Sequence, residues 1–295
     1  MLPLDSFILG DNPFFGINHH SRQAGESNAQ RFQDTTQIIH VIRLARQAGF
    51  QGIMLSAHDQ SRDILRLLQD DIELRDFHVY PNIPYLMKYV QRATQEGLLG
   101  TLQHLLTQGT AQKGLAAVAS LLAGGIGFVK KDFKRMMETA IELELAPYDA
   151  MPTPAIFLHN GIVDLILGLG CLELLEYYDD RVRKKYDSRP GFGTLNLPLC
   201  LKSLQSIGLK RPLIMAPFNK KGFHMNPSRE SCEKVLTHED FDFFAMNVLV
   251  SGALPAEEAF EYLKEFPSIR HIIVGASSEK NIKSSLALLK KVVLH

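Results

Sequence analysis

Short apolar runs alternate with amphipathic stretches along almost the whole chain. The runs predict strands at Phe7–Gly10, Gly52–Ser56, His78–Pro81, Ala155–His159, Gly191–Leu195, Leu213–Pro217, Phe243–Val248 and His271–Val274. Several are apolar without interruption, such as Ile53-Met54-Leu55 and Ala155-Ile156-Phe157-Leu158. Strands covered on both faces read this way, as parallel strands under helices do. Between them the pattern turns helical. In Thr36–Ala48 the residues Ile38, Ile39, Val41, Ile42, Leu44 and Ala45 share one face, and Gly49 ends the helix. Leu254–Phe266 opens with Pro255 in its first turn and Glu257–Glu258 at the positive end of its dipole. Ser278 stands where a cap for the last helix belongs.

Eight such units in 295 residues predict an α/β fold, the (β/α)8 TIM barrel, as one domain over 1–295. A doubly wound open sheet is the competing arrangement, because periodicity does not show closure. Pro84 to Pro152 is far longer than one barrel helix requires. Helical patterns at Leu98–Leu106, Lys113–Leu122 and Lys131–Leu145 predict a helical insertion over 98–146, between strands three and four. It would serve as a lid, a substrate wall or a homo-oligomer surface.

Composition narrows the function. Lys+Arg and Asp+Glu both number 32, so net charge is zero, and basic residues gather only in short runs such as Lys130-Lys131; a nucleic-acid partner is not expected. Cys171, Cys200 and Cys232 form no CxxC pair and read as reduced thiols, and the N-terminus has no signal-peptide pattern, so a cytoplasmic location is expected. Gly114–Val129 is uncharged, but shorter than the ~20 residues of a spanning helix, so no stable membrane insertion is expected.

In a barrel, chemistry belongs at the C-terminal ends of the strands. The sequence places Asp11, Asn12, Asn18, His19 and His20 after the first strand; Ser56, His58 and Asp59 after the second; Asn82 and Tyr85 after the third; His159 and Asn160 after the fourth; Thr194 and Asn196 after the fifth. Asn219, Lys220, Lys221 and His224 follow the sixth, and Asn247, Ser251 and Gly252 the seventh. This rim is rich in amides and imidazoles and poor in carboxylates, which suits a hydrogen-bonding pocket for a small molecule better than a hard-cation site. His159 also reads as a core histidine, and the lysine pair as a solvated surface. The turns Ser251-Gly252 and Gly275-Ala276-Ser277-Ser278 each precede a helix, where glycine and free amides suit a phosphate; plain turn chemistry is the alternative.

These residues resemble the aldo/keto reductase superfamily in a divergent form. The segments that carry the resemblance are Ile8–Gly16, Leu44–Phe50 with Ile53–Ala57, Gly191–Asn196, Ala245–Gly252 and Ile273–Ile282. The catalytic tetrad of that family is largely missing. Its Asp position holds Leu55, its Tyr position falls near Gln60, the third strand offers no lysine, and His159 alone matches. In the nucleotide loop Asn281 stands at an arginine position and Ser285 at an asparagine position. The resemblance implies an NAD- or NADP-dependent oxidoreductase acting on a small carbonyl compound. His159, assisted by His58 or Tyr85, would be its proton donor, titrating near neutral pH. Asn160, Asn196 and Asn219 would orient the nicotinamide or substrate, and Ser251, Gly252, Gly275, Ala276, Ser277, Ser278 and Asn281 would hold the phosphates. Three other readings stand beside it: a phosphate-binding lyase or aldolase using Lys220, a metal-dependent hydrolase using His19, His58, His159 and His224, and a non-catalytic ligand-binding or scaffold barrel.

Overall fold

The structure, a computed structural model, describes residues 1–18, 20–84, 130–238 and 240–293. Eight parallel strands close into a barrel in sequence order. They are β1 (Phe7–Gly10), β2 (Gly52–Ser56), β3 (His78–Ile83), β4 (Ala155–Leu158), β5 (Arg189–Gly193), β6 (Leu213–Pro217), β7 (Asp242–Met246) and β8 (His271–Gly275). Closure is the pairing of β1 with β8, Phe7 to Ile272 through Gly10 to Gly275. The described helices outside it are α1 (Arg22–Arg31), α2 (Thr35–Ala48), α3 (Ser61–Asp70), α4 (Lys130–Leu145), α5 (Asn160–Leu169), α6 (Glu173–Tyr186), α7 (Leu197–Ser206), α8 (Arg229–His238), α9 (Ala256–Leu263) and α10 (Glu279–Val293). α4 occupies the third helical pattern expected of the insertion. The rest of that expectation, with Gly114–Val129, His19 and Tyr85, lies outside the described residues.

Strand alternation sorts the core into two compartments. Ile8, Met54, Tyr80, Phe157, Met215, Phe244 and Ile273 fill the lumen. Their neighbours Leu9, Ile53, Leu55, Val79, Ile156, Leu158, Ile214, Ala245 and Val274 pack outward among the helices. Beyond Arg189 at its N-terminal end, β5 brings no large side chain inward. A Cβ on Gly191 would lie 2.5 Å from the Phe157 ring, so the glycine makes room for that ring to fill β5's share of the lumen.

Two boundaries moved for identifiable reasons. The fourth strand stops at Leu158 because His159 turns to cap α5. The ninth helix is shorter than its pattern, since Glu265 N–H and Phe266 N–H bond back only three residues, to Tyr262 and Leu263, and tighten the chain out of α geometry.

A polar plug closes the N-terminal end of the lumen. Asp5, 5% exposed, accepts from Tyr80 Oη and His78 Nδ1, both at 2.8 Å. His271 Nδ1 donates to the Asp5 carbonyl at 2.7 Å and its ring stacks on Phe244. The opposite face, where all eight strands end, is left for chemistry.

Candidate functional site

On β2, β3 and β4 the lumen parity of Met54, Tyr80 and Phe157 continues to Ser56, Asn82 and His159. Ser56 and Asn82 are register partners, and His159 N–H donates to the Ile83 carbonyl at 2.8 Å. The closed barrel therefore presents three polar side chains as a row at one rim. Asn82 Oδ1 is buried with no hydrogen-bond partner among the described residues. A buried acceptor left so costs about 1–3 kcal/mol.

His159 leaves the strand at φ −60° and ψ 140°, and its Nδ1 accepts from Gly161 N–H at 3.1 Å. An Nδ1 that accepts leaves the proton on Nε2. Burial pushes the imidazole down to about 4. The expectation of titration near neutral pH is thereby corrected: the ring is neutral at pH 7, a hydrogen-bond donor through Nε2 and no imidazolium acid.

Asp11, at the end of β1, is 4% exposed and accepts from Ser56 N–H at 2.6 Å. Desolvation outweighs those hydrogen bonds and pushes its carboxyl up to about 6. His58 stacks on Phe15 with ring centroids 3.6 Å apart, beside a cavity of about 420 Å3 between the β1 loop and α1. Leu55 is fully buried among the helices. Gln60 ties its loop to the α1–α2 corner, donating to Phe32 O and Thr35 Oγ1 at 2.9 Å each.

Two of the amides expected around β4 to β6, Asn196 and Asn219, are engaged locally. Asn160 is the first residue of α5. Asn196 caps α7, its Oδ1 accepting from Leu199 N–H at 3.2 Å. Asn219 is 1% exposed and both ends of its amide bond the Phe223 backbone at 2.9 Å, so it shapes the loop. Asp164 on α5, absent from the sequence reading, accepts from Thr194 Oγ1 and from Leu195 N–H, and its burial raises its carboxyl above the ordinary range. A scan confined to strand ends passes over a helix residue; its signal was a position one turn into the helix that follows β4.

After β6 and β7 the chain is stapled. Lys220 Nζ pairs with Glu258 at 2.8 Å, and Lys221 Nζ donates to the Ala253 carbonyl at 2.6 Å. Lys220 is half exposed and paired, not a desolvated amine, which removes the support for a Schiff base. The turn it braces is strained: Asn247, Val250 and Ser251 hold φ of 55°, 50° and 53°, and Gly252 88°. For β-branched Val250 that conformation is a true outlier. Among the described residues no cluster of three metal-ligating side chains forms.

After β8, Ser278 caps α10 through Asn281 N–H at 3.3 Å, and Ala276 is buried. Gly275 has Pro13 against it, since a Cβ would lie 3.1 Å from the Pro13 Cγ; its smallness admits the β1 loop. Arg31, from the end of α1, donates to the Ser277 carbonyl at 2.7 Å. A cation thus reaches this turn from a distant helix, although Asn281 stands where the resemblance would place one. Among the described residues, no helix is long and apolar enough to cross a membrane.

No family model and no curated protein sequence matches the chain. Solved structures do. PA4992 of Pseudomonas aeruginosa, described as "the putative aldo-keto reductase", is 16% identical with a TM-score of 0.59, covering 99% of this chain and 95% of its own. A second Pseudomonas aeruginosa structure, also described as a "putative aldo-keto reductase", is 16% identical with a TM-score of 0.58, covering 99% and 94%. At that identity the likeness is one of fold: the described residues form the same kind of closed eight-stranded parallel barrel.

Proposed function

We propose that this protein is an NAD- or NADP-dependent oxidoreductase acting on a small carbonyl compound at the C-terminal mouth of its barrel. The observation that carries the reading is His159, held at the end of β4 as a neutral Nε2–H donor, next in the row to Asn82 Oδ1, which is unpaired among the described residues. A site that polarises a carbonyl oxygen and orients a polar neighbour needs such a pair, one donor and one acceptor fixed by the backbone. The two fold neighbours, by their descriptions, support the same class.

The cofactor fits at its phosphate end. The turn before α10 joins a helix start of fifteen residues to the Arg31 guanidinium, a favourable setting for a phosphate. Ser277, Ser278 and Arg31 would hold it there, with Asn160 and Asn82 toward the nicotinamide and substrate. When bound, the nicotinamide supplies a hydride to the carbonyl carbon. The chain's part is orientation: His159 Nε2–H donates to the carbonyl oxygen, and Asn82 Oδ1 accepts from an N–H or O–H of what lies in the mouth.

Turnover with a panel of small aldehydes and ketones tests the reading. NAD(P)H oxidation that depends on the carbonyl compound, with His159→Ala slowed about a hundredfold and its cofactor affinity kept, is the expected result. Full activity in His159→Ala overturns the assignment of the site.

A further inference from the structure

Reduction of a carbonyl leaves an oxygen that needs a proton, and the residues already assigned do not provide it. His159 is neutral, so giving up its Nε2 proton would leave an imidazolate. Tyr148 is buried and donates to the Leu55 carbonyl at 3.1 Å. Asp164 has both oxygens engaged by Thr194 and Leu195. Asp11 is different. Its carboxyl is buried at the same rim, and its contact toward the lumen row is Ser56, whose amide donates to it at 2.6 Å and whose side chain lies beside it.

We infer that Asp11 is the proton store of this site and that the Ser56 hydroxyl passes its proton to the substrate oxygen. The inference rests on the oxidoreductase reading. The balance is as follows. A hydride from the reduced nicotinamide, which is oxidised, forms a C–H bond at the carbonyl carbon, and the C=O π pair moves to oxygen. That oxygen takes the Ser56 Oγ proton as the Ser56 O–H bond breaks. Ser56 Oγ takes the Asp11 carboxyl proton, and the resulting carboxylate is reprotonated from solvent. Ser56 is thus the catalytic residue and Asp11 a positioning residue acting through it.

The surroundings suit a carboxyl that exchanges a proton near neutral pH. Desolvation holds Asp11 up to about 6, and Ser56, with Asp11's own amide, accounts for the opposing hydrogen bonds. On the helical side the facing ionisable groups are Tyr148 and Glu144, and the charges of Glu144 and Asp11 both act on Tyr148. On the β2 side His58 donates its N–H to the Ser56 carbonyl at 2.8 Å and stacks on Phe15.

Asp11→Asn keeps an acceptor for Ser56 N–H and removes the exchangeable proton. Cofactor affinity is expected within twofold of wild type, and kcat/KM reduced about a hundredfold. Wild-type kcat/KM should fall above about pH 6 as the carboxyl ionises, and Asp11→Asn should lack that limb. Ser56→Ala should lose activity similarly, and Ser56→Thr should recover most of it. An unchanged pH profile in Asp11→Asn overturns the inference and leaves the oxidoreductase reading intact; absence of nicotinamide binding by wild type overturns both. Where Asp11→Asn folds poorly, infrared titration of wild type decides. A protonated carboxyl band present at pH 5 and gone by pH 8 supports the store, and its absence at pH 5 refutes it.

Discussion

Asp11 and His159 answer pH in opposite senses, although desolvation causes both shifts. The folded carboxyl titrates at about 6, above its ordinary 3.8, so its contribution to stability is whole below pH 3.8 and is lost as pH rises through 6. Asp11→Asn should be more stable than wild type by about 3 kcal/mol at pH 8, the gain vanishing near pH 4, as urea unfolding across pH would show. His159 titrates at about 4, below its ordinary 6.5, so its contribution is whole above pH 6.5 and is lost as pH falls toward 4. His159→Asn retains a helix cap and should lose less stability than wild type between pH 6.5 and 4. Asn82→Leu deletes an acceptor unpaired among the described residues and should raise stability by about 1 kcal/mol in the same assay while weakening ligand binding. Counting by twos from a strand's apolar residues places Asn82 and His159 at the rim from sequence alone. The protonation of Asp11 was not legible in that way, because burial is set by elements distant in sequence, β2 and α4 among them.

Elements were read more surely than their joints. β1, β2 and β6 lie where the hydrophobic runs placed them, because a strand buried on both faces writes its whole length in apolar residues. The turns are another matter. Nothing local to Gly275 indicates Pro13, and nothing local to Ser277 indicates Arg31, since both partners arrive from the β1 loop and α1. β5 gives a sharp test of lumen packing. Gly191→Ala drives a methyl into the Phe157 ring, which is fully buried with its centroid 5.1 Å from that of Phe244, and should cost about 1–3 kcal/mol by urea unfolding. An unaffected midpoint would show that the lumen holds slack at β5.

For the molecule as a whole, closure is what makes these separate pieces one site. Alternating strands and helices did not choose between a barrel and an open sheet; the β1–β8 ladder does, by carrying every strand's C-terminal end to the same face. With the other end sealed by Asp5, Tyr80, His78 and His271, the row on β2 to β4 and the Arg31-braced turn after β8 share one mouth. What enters this mouth was never written in strand periodicity, since specificity lives in loops and side-chain placement. That this mouth takes a nicotinamide dinucleotide is the central claim. The direct test is a fluorescence titration of wild type and Arg31→Ala with NADH and NADPH. Saturable binding of at least one cofactor to wild type, weakened about tenfold in Arg31→Ala, is the expected result. Flat titrations of wild type with both cofactors up to millimolar concentration would contradict the claim.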